Sequence, residues 1–139
     1  MEIPEDKYRH LLGKPFKFGG RGPDFYDCYG LAMAVCKIND IILPEKTSVT
    51  DPAIMHKLIQ EGKKDFTELS GPEPFCIITL KVKVPYEDHI GVVLDDRRHF
   101  MHIIKQHNSG MQKLHVWEKR IDGYWRYTGG QGLRLKESV

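Results

Sequence analysis

Apolar residues recur at helical spacing in the first half of the chain and alternate in strand-like fashion in the second. From Leu31 to Ile38 every residue except Lys37 is apolar, and Leu31, Val35 and Ile38 fall on one helical stripe that Met33 and Cys36 broaden. This predicts a largely buried helix over 28–38, broken at Asn39-Asp40. Asp51-Pro52 predicts a second helix start, a capping residue followed by proline in the first turn; Ile54, Leu58 and Ile59 supply its stripe and Gly62 its stop. A short helix over 4–12 is expected from Pro4, with Tyr8, Leu11 and Leu12 on one side. Phe66 and Leu69 are expected to pack back ahead of the turn at Gly71-Pro72-Glu73-Pro74. From Phe75 to Val84 the period becomes two, with Ile78, Leu80, Val82 and Val84 opposite Lys81 and Lys83. Further strands are expected over 89–94, 99–104, 114–117 and 124–127. The fold class is therefore α+β, with N-terminal helices packed on an antiparallel β-sheet.

The 139 residues read as a single domain, 1–139, whose tail from about 128 is loosely held. A formal net charge of +2, with lysines and arginines scattered, argues against a nucleic-acid partner. No apolar run is long enough for membrane insertion, and from the acidic start no signal peptide is expected. The protein is thus expected to be made in the cytoplasm. Three cysteines, Cys28, Cys36 and Cys76, do not suggest a disulfide framework; the last two lie within apolar runs and read as core.

Candidate chemistry centres on Asp27-Cys28-Tyr29-Gly30-Leu31. A glycine- and proline-rich stretch, Gly19-Gly20-Arg21-Gly22-Pro23-Asp24, leads into it, so one cysteine sits where loop becomes helix. Free N–H groups and the helix dipole favour a thiolate there, which predicts a pKa below the free value of roughly 8.5. The preceding glycines read as close backbone packing beside that cysteine, and Phe16 and Phe18 are expected to tuck inward. A thiol nucleophile needs a base, and the base an orienting group. His89 opens a strand and is the first choice for base. In an antiparallel hairpin, paired residue numbers keep a constant sum. A loop at Asp95-Asp96 places His102 directly opposite His89, and a loop at Asp96-Arg97 places it diagonally on the same face. Either register selects His102 to orient His89 and puts His99 on the other face. None of the seven histidines has the HExxH spacing and no CxxC pair exists, so neither metal nor cofactor is expected.

These residues resemble the NlpC/P60 family of cysteine peptidases. The resemblance begins at Leu12-Gly13-Lys14-Pro15-Phe16-Lys17-Phe18-Gly19-Gly20 and runs through Pro23 to Asp27-Cys28-Tyr29-Gly30-Leu31. It resumes at Asp88-His89-Ile90-Gly91-Val92 and includes Phe100-Met101-His102-Ile103. It implies a papain-like core, a Cys-His-His triad of Cys28, His89 and His102, and peptidoglycan stem peptides as substrate. The segments Gly110–Leu114 and Trp117–Arg126 resemble phage and prophage tail-associated members, which implies incorporation in a tail and tail proteins as further partners. Tyr29 stands where many wall-recycling relatives have serine, and Phe16 where they often have tyrosine, while Asp27 is retained. Asp27, Tyr29 and Phe16 are the expected substrate-binding residues; Tyr29 either narrows the cleft, stacks on a ligand or simply packs. The expected function is a cysteine peptidase of bacterial cell-wall peptidoglycan. The rivals are a structural tail-assembly protein with a vestigial or binding-only cleft, and a cysteine amidase of other specificity.

Overall fold

The computed structural model describes residues 2–129. Three helices, α1 (Cys28–Ile38), α2 (Pro52–Gly62) and α3 (Leu114–Trp117), accompany six strands: β1 (Phe66–Leu69), β2 (Ile77–Leu80), β3 (His89–Val93), β4 (His99–His102), β5 (Gly110–Lys113) and β6 (Ile121–Tyr127). The strands form one sheet in the order β1-β6-β2-β3-β4-β5, with every neighbouring pair antiparallel. The architecture is α+β.

Helix α1 packs against β3 and β4. Leu31, Ala32, Val35 and Cys36 are all but fully buried, and they meet Ile77, Ile90, Val92, Met101 and Ile103 from that face of the sheet. Full burial contributes roughly 1.5–3 kcal/mol for a side chain such as Leu31 or Val35. A second cluster, of Cys76, Ile78, Leu80, Val93, Phe100 and Leu114, lines the opposite face, with Trp117, Ile121 and Tyr124 packed on it. Both faces of the central strands are therefore covered, and all four residues of β2 are buried.

Several elements differ from the pattern expected along the chain. Asp6, at φ +68°, interrupts the N-terminal stretch, and only a single 3-10 turn forms over Arg9–Leu11. Tyr8 and Leu11 are buried there, but Leu12 is exposed. Helix α2 buries Met55 and leaves Ile54 exposed, so its stripe is turned by one residue. Phe66 and Leu69 belong to a strand, β1, which pairs with β6. Strand β2 stops at Leu80: the Asp88 carboxylate accepts from the N–H groups of Val82 and Lys83, which folds 81–88 into a loop and exposes Val84. The expected strand over 114–117 is α3, and the sheet is extended by 110–113 just before it. Thr128 and Gly129 donate to the Asp65 carbonyl, while the rest of the expected tail, 130–139, lies outside the described residues. Among the described residues no helix is long and apolar enough to cross a membrane.

Candidate active site

Cys28 is the first residue of α1, and Asp27 is its N-cap. Oδ1 of Asp27 accepts from the Gly30 N–H at 2.7 Å and from Arg21 at 2.8 Å; Oδ2 accepts from the Gly19 N–H at 2.9 Å. Asp27 has no exposed surface, and its contacts are those of a loop-to-helix clasp rather than of a group facing a ligand. Arg21, which the sequence pattern does not single out, also binds Glu45 and the Lys46 carbonyl and so ties this loop to the segment after α1. The glycines make the clasp possible. A Cβ on Gly30 would lie 2.0 Å from the Gly20 carbonyl oxygen, and one on Gly20 would lie 2.7 Å from the Tyr26 Cα. Gly30→Ala is expected to cost at least about 2 kcal/mol, because backbone rather than a flexible side chain must move. Thermal unfolding of the variant measures this, and an unchanged Tm would contradict the clasp.

Strands β3 and β4 pair Val92 with Met101 and Val93 with Phe100, a constant sum of 193, which is the diagonal register. The two rings meet: Nε2 of His89 lies 2.9 Å from Nδ1 of His102. The Trp117 ring stands edge-on to the His102 ring at 4.8 Å, with Phe100 at the same distance. Trp117 is a second residue that pattern reasoning passes over, because its segment reads as a strand. His99 bonds Asp96 instead, away from this pair.

Cys28, His89 and His102 expose only 8%, 6% and 6% of their surfaces. Burial first, and the Asp27 carboxylate second, push the Cys28 thiol up to about 12; the opposing N–H groups belong to Ile90, Tyr29 and Cys28 itself. The sulfur therefore lies against the backbone of β3 at Ile90, and among the described residues no hydrogen bond joins it to the His89 ring. The expectation of a lowered thiol pKa is corrected here: the helix terminus favours the thiolate, but loss of water and a nearby carboxylate outweigh it. Burial lowers His89 to about 3, helped by His102, and lowers His102 to about 4, helped by His107. All three groups are neutral at pH 7. Alkylation of Cys28, followed by peptide mapping, is expected to accelerate with pH through pH 10 without levelling off. A plateau below pH 8.5 would show an exposed or ion-paired thiolate.

Tyr29 is buried, donates to the Pro44 carbonyl at 2.7 Å and lines a cavity of about 270 Å3 under α2. It thus forms part of the wall of that space, which neither Cys28 nor His89 lines. Phe16 is half-buried and meets Phe18 edge-on at 4.8 Å; Phe18 is exposed, against the expectation that both tuck inward. Among the described residues no group of three or more His, Cys, Asp or Glu side chains is placed to hold a metal ion.

Residues 13–126 match the model of the NlpC/P60 family. The chain belongs to the NlpC/P60 family. Its fold is similar to NlpC1 of Trichomonas vaginalis, at a TM-score of 0.62 and 18% identity, covering 91% of this chain and 46% of that one. NlpC2 of the same organism gives a TM-score of 0.61 and 18% identity over 84% of this chain and 42% of that one. An NLP/P60-family protein of Staphylococcus aureus, described as similar to a lipoprotein, gives 0.56 and 19% identity over 91% of this chain and 43% of that one. The chain spans less than half the length of these NlpC/P60 structures. No curated protein matches it in sequence.

Proposed function

We propose that this chain is a cysteine peptidase that hydrolyses peptide bonds of bacterial peptidoglycan, with Cys28 as nucleophile, His89 as base and acid, and His102 orienting His89. The observation that carries the reading is the 2.9 Å contact between Nε2 of His89 and Nδ1 of His102. If His89 donates through Nε2–H, its Nδ1 is left unprotonated as an acceptor for the thiol proton.

The neutral ground state sets the order of events. The proton leaves Sγ for Nδ1 of His89 as the C–S bond forms, not beforehand. Burial disfavours thiolate and imidazolium, but in the transition state the imidazolium faces a developing oxyanion. N–H groups of the first turn of α1, including that of Cys28, are directed to that oxyanion. His89 then gives the proton to the departing amine, leaving an acyl group on Sγ. Water, deprotonated by His89, attacks the thioester, the carboxylate product departs and the thiol is restored. Trp117 keeps water from His102, so the imidazole stays neutral and able to accept.

The setting we infer is a phage or prophage tail, the protein being made in the bacterial cytoplasm and meeting other tail proteins as partners; the resemblance of 110–126 to tail-associated members supports this. Co-purification of the chain with assembled tails tests it, and its absence from them counts against it. A second reading, a structural tail component with a silent cleft, is favoured by the near-complete burial of the three side chains. Zymography on purified wall, followed by mass analysis of released fragments, separates the two. Clearing by wild type but not by Cys28→Ala supports the peptidase, and the fragments identify the bond cut. Clearing by neither supports the structural reading.

A further inference from the structure

Among the described residues the His102 side chain makes one hydrogen bond, the 2.9 Å contact of its Nδ1 with Nε2 of His89. One bond at one ring atom does not fix the plane of an imidazole, because the torsion that turns the ring about its Cβ–Cγ bond is broad. Two aromatic rings flank it. The Phe100 ring centre lies 4.8 Å away with the planes at 55°, and that of Trp117 lies 4.8 Å away at 80°. Phe100 and Trp117 also meet each other, at 6.0 Å and 84°, so the three rings close a triangle. These are distances and tilts at which aromatic pairs attract.

The triangle is held from outside. Phe100 and His102 are two residues apart on β4, so the strand sends both to one face. Phe100 is fully buried and lies across Gly91 of β3, where a Cβ would come within 2.8 Å of its Cδ2. Trp117 arrives from α3. The Leu114 N–H donates to the Arg98 carbonyl at 2.9 Å and the Leu114 side chain is buried, which anchors the start of that helix beside β4. Three residues later Trp117 falls on the same side of α3 as Leu114, while His115 and Val116 between them are exposed. Trp117 is half-buried, the member of the triangle nearest to solvent.

We infer that Trp117 is a positioning residue for the histidine pair: its ring, set nearly at right angles to the imidazole, holds the plane of His102 so that Nδ1 stays directed at Nε2 of His89. Trp117 acts through His102 and not on the substrate. This role is distinct from excluding water. Any apolar side chain of similar bulk keeps water away, but only a flat one fixes a plane. A fixed His102 keeps the His89 ring in one orientation, with its Nδ1 free to take the thiol proton. That the positioning serves turnover rests on the peptidase reading; the hold on the His102 ring does not.

The test is proton–nitrogen NMR of the full chain labelled at histidine, following the His89 Nε2–H proton at pH 7, beside turnover on purified peptidoglycan. In the wild type that proton is expected to be visible and slow to exchange with water. Trp117→Phe, which keeps a flat ring, is expected to retain the signal and to hold kcat within about threefold. Trp117→Leu, apolar but not flat, is expected to lose the signal to exchange and to lower kcat at least about tenfold with KM unchanged. Trp117→Ala is expected to do the same, and Trp117→Leu decides the matter should the alanine variant fail to fold. A Trp117→Leu protein with the wild-type signal and kcat would overturn the role and leave Trp117 as a cover only. Trp117→Phe as impaired as Trp117→Leu would overturn it too. Loss of the signal in Trp117→Leu, in a protein that never digests wall, would leave the positioning standing and remove the peptidase reading; wild-type digestion with a signal that Trp117→Leu does not move would do the reverse.

Discussion

Replacing Cys28 by alanine is expected to lower kcat/KM for purified peptidoglycan by on the order of 10^5, with little change in Tm. The size follows from the role. Without Sγ no thioester forms, and His89 and the first-turn N–H groups have no attacking atom to assist. The fold does not depend on the sulfur. The start of α1 is held by the Asp27 carboxylate on the Gly30 N–H and by Arg21, neither of which touches the substituted atom. Turnover kinetics beside a thermal melt check this. Loss of activity together with a collapsed Tm would assign Cys28 to the core instead.

Acidification is expected to unfold the protein well before its carboxylates are all protonated. His89 and His102 have folded values of about 3 and about 4, both below the ordinary histidine value of about 6.5. A group whose folded pKa is depressed leaves the unfolded chain binding more protons between the two values. Stability is therefore intact above pH 6.5 and falls as pH drops from there toward 3–4. Each pH unit costs about 1.4 kcal/mol per ring, so by pH 4 the first ring to be protonated accounts for roughly 3 kcal/mol. The second costs more, because two imidazolium rings in hydrogen-bond contact repel. Urea unfolding between pH 7 and pH 4 measures the slope, and His102→Asn is expected to flatten it. A pH-independent midpoint over that range would mean that the pair is open to water.

The span of α1 and the pairing of His89 with His102 were legible because local rules and tertiary packing agree there. Asp27 caps, Gly30 gives room and the apolar run from Leu31 has nowhere to go but the core, so α1 spans the expected 28–38. Strand parity then brought His102 to the face of His89 whichever loop closed the hairpin. Ionisation was not legible. A helix start and a nearby histidine point to a thiolate, whereas burial is set by everything packed above the site. Elements that depend on distant partners were missed for the same reason. Phe66–Leu69 is a strand only because β6 lies beside it, and Leu114–Trp117 coils because Leu114 and Trp117 must cover Phe100 and His102 on the far face of the sheet. The alternation through Val82 and Val84 was misleading, since the Asp88 carboxylate two turns of sequence later takes those N–H groups away from any ladder.

The most direct test is to catch the acyl group on the sulfur. The full chain, mixed with purified stem peptides, quenched in acid within milliseconds to seconds and digested with pepsin, should yield the peptide containing Cys28 with the mass of the acyl fragment added. That adduct should be absent from His89→Ala and should disappear on neutral incubation of the unquenched enzyme. Cleavage of the stem peptides with Cys28 unmodified at every time, continuing unchanged in Cys28→Ala, would contradict the account.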